Sequence, residues 1–150
     1  MTTKRVLILC TGNSARSQMG EGLFRLEGGG VYEAFSAGTR PSSVRPEAIA
    51  VMKEIGVDIS GQRSKSVEEF AGQAFDYVVT VCDNARDTCP VFPGAAERIH
   101  WSLEDPAAFQ GDDAERLAAF RRIRDRLRER INMFLRARAA GAGNESVRRK

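Results

Sequence analysis

The chain has 150 residues and a mass of 16.5 kDa, which corresponds to one domain at the usual scale of roughly 100 to 200 residues. Its 42% hydrophobic and 29% charged residues exclude an intrinsically disordered protein, and no apolar run approaches the roughly 18 residues that span a bilayer. The net charge is +3, but arginines and acids share the same helical surfaces, so we expect neither a nucleic-acid nor a membrane partner.

The cysteine content points to a reducing compartment. Cys10, Cys82 and Cys89 cannot all pair within one chain, and their low density does not fit a disulfide-stabilised secreted scaffold. The first apolar run, residues 6–10, is too short for the core of a signal peptide. We therefore expect a cytoplasmic protein.

The amino-terminal half alternates strand and helix signals. An apolar run at the start is typical of a strand buried on both faces, and glycines and a proline mark the boundaries of the later elements. The predicted elements are a strand at 5–9, a loop at 11–16, a helix from Ser17 to the glycines at 28–30, a strand at 31–37 with a turn at Gly38, and a helix at 46–55 that Gly56 ends.

The carboxyl-terminal half continues the alternation. Ser66 is expected to cap a short helical piece at 67–70 that has Glu68 and Glu69 in its first turn. The β-branched and aromatic residues at 75–81 predict a third strand that ends at Cys82. An alternating pattern through Ile99, Trp101 and Leu103 predicts a fourth strand that leads to Asp105-Pro106.

From Asp112 onward the spacing predicts a long amphipathic helix. Its apolar positions are Leu117, Phe120, Ile123, Leu127, Ile131 and Phe134. Together the elements predict an α/β fold, a four-stranded parallel sheet flanked by helices, in one domain at 1–138, followed by a flexible basic tail at 139–150. Ligands of such a sheet bind at the carboxyl ends of its strands.

A thiol at the end of the first strand and an arginine at the start of the next helix have the spacing C-x5-R. Five intervening residues let the backbone wrap around a tetrahedral oxyanion, with N–H groups and the helix N-terminus directed inward. Arg16 offers a fork of donors to the oxyanion, and the same positive field favours the nucleophilic thiolate of Cys10. The segment, called the anion loop below, comprises Cys10, Thr11, Gly12, Asn13, Ser14, Ala15, Arg16 and Ser17.

Asp105-Pro106 comes after the fourth predicted strand, so its carboxylate should lie at the same sheet edge as Cys10. There it would serve as a general acid or base toward the thiol or a departing oxygen. An isolated Asp-Pro pair more often simply starts a turn, and at this point both interpretations stay open.

Cys82 should lie near the anion loop, because it comes directly after the third strand, and Cys89 comes seven residues later. This spacing and the single histidine, His100, do not match a zinc site, so we expect no metal. If 83–88 form a helix, the two sulfurs lie about 10 Å apart, so a disulfide between them needs that polar segment to unwind.

This geometry suggests a relay of thiols. Cys10 would attack the bound oxyanion, and Cys82 would then attack the Cys10 sulfur and expel the reduced product. Cys89 would next attack Cys82 and free Cys10, which leaves a disulfide where a dithiol protein can reach it.

With these residues the sequence resembles the thioredoxin-coupled arsenate reductases, which are built on the low-molecular-weight protein tyrosine phosphatase fold. Residues 10–22 carry most of the resemblance, with Cys-Thr-Gly-Asn-Ser-Ala-Arg-Ser-Gln-Met-Gly-Glu-Gly. Further matching segments lie at 36–38, 56–60, 79–82, 89–90 and 100–107, and the resemblance extends to about Leu135.

The resemblance implies reduction of arsenate to arsenite, with Cys10 as nucleophile, Cys82 and Cys89 as the relay and Asp105 as the carboxylate. Asn13 would organise the anion loop, and Ser17 would donate a hydrogen bond to the Cys10 thiolate. Thioredoxin would be the external reductant, phosphate and sulfate would compete with arsenate, and we expect a monomer without a bound cofactor.

Some of these reductases bind potassium beside positions that match Asn13, Glu21 and Ser36, and an acidic residue often completes that site where this chain has Lys65. The Lys65 ammonium would replace the ion, which puts potassium dependence in question. Residues 62–65 resemble the phosphatase branch more closely, and Ala15 stands where the family often has a cysteine that the relay does not need.

Two other functions use the same residues. A tyrosine phosphatase would need Cys10, Arg16 and Asp105 but neither of the other cysteines, and it would want aromatic walls where Ala107 and Ala108 come after Asp105-Pro106. An oxyanion-binding or redox-sensing module would need no second thiol poised against the loop.

Overall fold

The structure, a computed structural model, describes residues 3–82 and 97–148, with side chains described to residue 139. Within this part strands alternate with helices. In chain order the elements are β1 (Lys4–Cys10), α1 (Arg16–Gly28), β2 (Tyr32–Gly38), α2 (Pro46–Lys53), a 3-10 helix (Val67–Phe70), β3 (Tyr77–Thr80), β4 (Glu97–His100), a second 3-10 helix (Pro106–Ala108) and α3 (Asp113–Arg148).

The four strands form one parallel sheet in the order β2-β1-β3-β4. This confirms the predicted α/β fold with a four-stranded parallel sheet flanked by helices. The last residue of β1, Cys10, lies opposite Gly38, and Leu9 lies opposite Thr80. The carboxyl ends of three strands therefore meet at one edge of the sheet.

The apolar run of β1 forms the centre of the core. Its residues Val6 to Leu9 are at most 1% exposed, although successive side chains of a strand point to opposite faces. Both faces of β1 are therefore covered, as the unbroken apolar run predicted.

An aromatic cluster fixes α1 and α3 to the segment after β4. The Phe24 ring of α1 stacks on Trp101 at 6.4 Å between ring centroids, and the Phe134 ring of α3 meets Phe24 edge-on at 5.7 Å. Such ring pairs add about 0.5–1.5 kcal/mol each beyond the area that they bury. The cluster anchors the start of the segment that carries Asp105.

The fourth strand is shorter than predicted. It ends at His100, because β3 ends at its partner Thr80, and only Trp101 N–H still reaches β3, at Thr80 O. Trp101 and Leu103 are nevertheless buried, at 7% and 8% exposure. The alternation of apolar and polar residues at 99–103 therefore reflects burial of one side of an irregular segment and not strand pairing. The prediction of a strand through residue 103 was wrong.

Other boundaries differ by a few residues. β3 covers four residues of the predicted 75–81, and α2 ends at Lys53, with Gly56 at a φ of 81° in the turn beyond it. Ser66 Oγ accepts the N–H of Glu68, which confirms the predicted cap. α3 continues past residue 139 to Arg148, and the flexibility of the tail stays a prediction.

Two sequence predictions lie outside the described residues. Cys89 and the proposed helical turns at 83–88 belong to the stretch 83–96, for which the structure gives no account. In the described chain, no helix combines the length and the apolar character needed to cross a membrane.

Candidate active site

The anion loop connects β1 to α1 at the carboxyl edge of the sheet. Its backbone turns at Asn13, which has a φ of 46°. Among the described residues, Asn13 is the one residue other than glycine with a left-handed backbone conformation. Asparagine tolerates this region better than most residues do. The fold uses this tolerance at Asn13.

The Cys10 thiol is 2% exposed and meets two polar groups of the loop. Its Sγ accepts the N–H of Asn13 at 3.2 Å and lies 2.8 Å from Ser17 Oγ. Asn13 Nδ2 donates to the same Ser17 oxygen at 2.7 Å, which leaves the Ser17 proton free to point at sulfur. Both groups are therefore placed to hydrogen-bond to the sulfur atom.

A chain of side-chain amides holds Asn13 in place on the side away from Cys10. Gln62 Nε2 donates to Gln18 Oε1 at 2.7 Å, and Gln18 Nε2 lies 2.9 Å from Asn13 Oδ1 and 3.0 Å from the Arg63 carbonyl. Gln18 and Asn13 are fully buried, so these bonds are little exposed to competition from water. The position of Ser17 thus depends on a network that extends to Gln62.

Arg16 and Asp105 meet across the mouth of the loop. Arg16 Nη1 donates to the Leu103 carbonyl at 2.9 Å, and Nη2 lies 3.8 Å from Asp105 Oδ2. Asp105 Oδ1 also accepts the Ala107 N–H at 3.0 Å and caps the second 3-10 helix. Asp105 therefore starts a turn and also places a carboxylate beside the arginine, while its role as a general acid or base stays a prediction.

Cys82 lies beside the anion loop, as its position after β3 predicted. Val81 N–H donates to Leu9 O at 2.9 Å, which extends the pairing of β3 with β1 to the residue before Cys82. Cys82 Sγ is 3.3 Å from Thr11 Oγ1, and the residue is 6% exposed.

A cluster of charges lies behind the loop. Glu21 is 3% exposed. Its Oε1 accepts the Ser36 hydroxyl at 2.6 Å and lies 3.6 Å from Lys65 Nζ. Its Oε2 lies 2.9 Å from Arg25 Nη2. Burial lowers the pKa of Lys65 from its usual 10.5, and the neighbouring Glu21 opposes that shift. The Lys65 ammonium therefore lies beside the same Glu21 carboxylate that accepts the Ser36 hydroxyl.

Gly38 lets β2 approach the anion loop closely. A Cβ at this position would lie 2.5 Å from Thr11 O and 2.8 Å from Asn13 N, distances that atoms do not tolerate. Its N–H donates to the Lys65 carbonyl at 2.8 Å. The predicted turn at Gly38 is thus the last residue of a strand, and its missing side chain makes room for the anion loop.

The described residues place no group of three His, Cys, Asp or Glu side chains where it could hold a metal ion. His100 Nδ1 lies 2.7 Å from Thr80 Oγ1, between the ends of β3 and β4. This contact links the histidine to the end of β3.

Sequence reasoning missed Gln18, Gln62 and Ser64 as residues of the site. Ser64 Oγ donates to the Gly12 carbonyl at 3.0 Å. A signal existed only for Gln18, which adds a polar residue to the buried face of α1 beside Asn13. Gln62 and Ser64 lie in a loop far along the chain, where no periodic pattern marks them.

Comparisons with known proteins place this geometry in a family. The profile of the family described as low molecular weight phosphotyrosine protein phosphatase matches residues 5–149. An arsenate reductase from Halalkalibacterium halodurans is 46% identical over 134 residues, which are 89% of this chain and 96% of that protein.

Solved structures give the same picture. An arsenate reductase in the phosphate binding state is 36% identical, with a TM-score of 0.78 over 90% of this chain and 98% of that chain. A thioredoxin-dependent arsenate reductase from Corynebacterium glutamicum is 28% identical, with a TM-score of 0.71 over 91% of this chain and 62% of that one.

Proposed function

The chain belongs to the low molecular weight phosphotyrosine protein phosphatase family, and we propose that within this family it is an arsenate reductase. The observation that carries this conclusion is a pair of buried thiols at one edge of the sheet. Cys10 lies in the anion loop, and Cys82 contacts that loop through Thr11. Hydrolysis of a phosphate ester has no use for the second thiol, whereas reduction of an oxyanion needs it.

Arsenate binds where the anion loop surrounds a tetrahedral anion. The N-terminus of α1 carries no side-chain cap, so the N–H groups of its first turn are available to oxyanion oxygens. When the anion binds, Arg16 releases its hydrogen bond to the Leu103 carbonyl and donates to two oxygens of the anion. Phosphate and sulfate have the same shape and charge, and they compete for the site.

The chemistry proceeds by two displacements, the first at arsenic and the second at the Cys10 sulfur. The Cys10 thiolate forms a bond to arsenic, and an arsenate oxygen departs as water with a proton that Asp105 is placed to pass on. The Cys82 thiolate then attacks Cys10 Sγ, and the sulfur–arsenic bond breaks with its electron pair on arsenic. Arsenic is reduced by two electrons and leaves as arsenite, while Cys10 and Cys82 form a disulfide.

Cys89 completes the cycle in this proposal. Its thiolate attacks Cys82 Sγ, forms the Cys82–Cys89 disulfide and releases the Cys10 thiolate for the next turnover. A thioredoxin dithiol reduces that disulfide, in keeping with the thioredoxin-dependent relative from Corynebacterium glutamicum. No bound cofactor is needed, because thiols carry both electrons.

A coupled assay with arsenate, thioredoxin, thioredoxin reductase and NADPH tests the proposal. We expect wild-type protein to consume NADPH on addition of arsenate and Cys82→Ser to consume none. Aryl phosphate hydrolysis serves as the internal control, because it needs only Cys10, Arg16 and Asp105. A wild-type protein that hydrolyses aryl phosphate but leaves arsenate unreduced would be a phosphatase, and the proposal would be wrong.

The Lys65 ammonium supplies the positive charge beside Glu21 and Ser36 in place of a potassium ion. Its Nζ lies 3.6 Å from Glu21 Oε1 and donates to the Arg63 carbonyl at 2.9 Å. Arsenate turnover should therefore be equal in sodium and potassium buffers of one ionic strength. Stimulation by potassium alone would show that an ion binds despite Lys65.

We expect the protein to act as a cytoplasmic monomer. Three cysteines in 150 residues are too few for a disulfide-stabilised secreted scaffold, which suits a reducing compartment. Light scattering after size-exclusion chromatography tests the monomer, and a mass near twice 16.5 kDa would contradict it.

A further inference from the structure

A strap at residues 39–45 holds the outer side of the anion loop. Backbone N–H groups of the strap donate to backbone carbonyls of the loop at four places. These pairs are Thr39 to Cys10 at 3.3 Å, Arg40 to Thr11 at 2.8 Å, Ser42 to Gly12 at 3.1 Å and Arg45 to Ser14 at 2.9 Å. Because the N–H of a trans peptide points opposite to its carbonyl, the N–H groups of these peptides point away from the strap.

The peptide group that joins Gly12 to Asn13 forms hydrogen bonds through both its N–H and its carbonyl oxygen. Its N–H donates to Cys10 Sγ at 3.2 Å. Its carbonyl oxygen accepts the Ser42 N–H at 3.1 Å and the Ser64 hydroxyl at 3.0 Å. One peptide group therefore connects Ser64 to the sulfur atom of Cys10.

The Ser64 hydroxyl is oriented for this contact. It accepts the Ser42 N–H at 3.0 Å, a proton that it shares with Gly12 O, and its own proton is directed to Gly12 O. Ser64 is half-buried, which limits competition from water. The Ser42 hydroxyl lies 3.4 Å from the same carbonyl and is on the surface, so it contributes less.

We propose that Ser64 is a positioning residue that strengthens the hydrogen bond from Asn13 N–H to the Cys10 thiolate through the Gly12–Asn13 peptide. Hydrogen bonds accepted by a carbonyl polarise its peptide group and make the N–H at the other end a better donor. The gain is larger when the acceptor is charged, so the effect favours the thiolate over the thiol. This inference deepens the proposed function and rests on Cys10 as its nucleophile.

The pH dependence of Cys10 alkylation by iodoacetamide tests the inference without arsenate. Measured in a Cys82→Ser, Cys89→Ser background, the rate reports Cys10 alone. We expect Ser64→Ala to move the pH of half-maximal rate upward by about half a unit and to slow alkylation about threefold at pH values below that midpoint. The maximal rate at high pH should not change, because the thiolate itself stays as reactive.

Two variants control this test. Ser64→Thr keeps the hydroxyl and should keep the wild-type midpoint, and Ser43→Ala removes an exposed hydroxyl of the strap and should do the same. Ser64→Gly, which also lacks the hydroxyl, replaces Ser64→Ala if circular dichroism shows that the alanine variant is unfolded. A wild-type midpoint without the Ser64 hydroxyl, or an equal shift in Ser43→Ala, overturns the inference.

The outcome is separable from that of the proposed function. If the wild-type protein reduces no arsenate, the proposed function fails, while the alkylation midpoint still reports on Ser64. If arsenate is reduced and the midpoint does not move, only the inference about Ser64 fails.

Discussion

Asn13 connects three parts of the site through one buried side chain. Its Nδ2 donates to Ser17 Oγ, and its Oδ1 accepts Gln18 Nε2 and the Lys65 N–H, all within 2.7–2.9 Å. Its backbone also supplies the N–H that Cys10 Sγ accepts. A single residue thus sets the turn of the anion loop and the direction of the Ser17 hydroxyl.

Asn13→Ala should lower the free energy of unfolding by about 2–4 kcal/mol, because it leaves buried polar partners unsatisfied and puts a Cβ-bearing residue without side-chain bonds at positive φ. Asn13→Gly removes the same bonds but relieves the backbone, so it should cost less. Urea denaturation measures both. An alanine variant within about 0.5 kcal/mol of wild type would contradict this account.

Arg16→Ala should weaken phosphate binding by about 10- to 100-fold, because a bidentate contact to an oxyanion contributes about 1.5–3 kcal/mol. Arg16→Lys keeps the charge but loses the planar fork, and it should lose less affinity. Calorimetric titration with phosphate and sulfate measures the effect. If all three proteins bind both anions equally, Arg16 is not the clamp.

The site residues that the sequence revealed lie close together along the chain, whereas those that it did not reveal make contacts between distant positions. Cys10 and Arg16 are separated by five positions, so spacing alone brings them together around an anion. Ser64 meets Gly12 across 52 positions of the chain, and Gln62 meets Gln18 across 44. These contacts depend on how a loop without a periodic pattern returns to the sheet edge, which only the folded chain reveals.

At the scale of elements, hydrophobic pattern predicted which segments are buried better than it predicted where strands end. The unbroken run of β1 predicted the central strand correctly. The alternation at 99–103 was misleading, because it reflects the burial of Trp101 and Leu103 against the core rather than pairing with β3. A strand ends where its partner ends, and the length of β3 is not visible in the sequence of β4.

The contact between β2 and the anion loop depends on Gly38. Gly38→Ala should cost about 1–3 kcal/mol in stability and weaken phosphate binding, because its Cβ would push Thr11 and Asn13 away. Gly61→Ala is the matched control, since a Cβ there meets open space. Thermal unfolding and phosphate titration test both variants. If Gly38→Ala has the same melting temperature and phosphate affinity as Gly61→Ala, the close contact is refuted.

An ion-pair cluster connects the end of α2 to α3. Glu54 accepts two bonds from Arg121, at 2.8 and 2.9 Å, and one from Arg124 Nη1 at 2.8 Å. Hydrogen bonds from Arg121, and then from Arg124, hold the pKa of Glu54 at about 2, below its usual 4.5. The carboxylate therefore stabilises the fold above about pH 4.5, and that contribution is lost as the pH falls toward about 2.

Glu54→Gln should lower the melting temperature at pH 7, and the difference from wild type should shrink as the pH falls below about 4.5. Glu129→Gln changes an exposed carboxylate of α3 and should have little effect at any pH. Differential scanning calorimetry from pH 7 to pH 3 measures both. A difference for Glu54→Gln that stays constant over this range would exclude the ion pairs as its cause.

At the scale of the whole molecule, the central claim is that three thiols pass two electrons outward from the anion loop. The sheet brings the first two thiols to one edge, because β1 and β3 are neighbours and run in parallel. Cys89 lies outside the described residues, so its part in the relay rests on its position seven residues after Cys82.

The most direct test of that claim is the mass of the Cys89→Ser protein after one equivalent of arsenate. We predict one equivalent of arsenite, no further turnover with thioredoxin, and peptides that join Cys10 to Cys82 through a disulfide. Arsenite formed while Cys10 and Cys82 remain free thiols, or steady turnover of this variant, would contradict the relay.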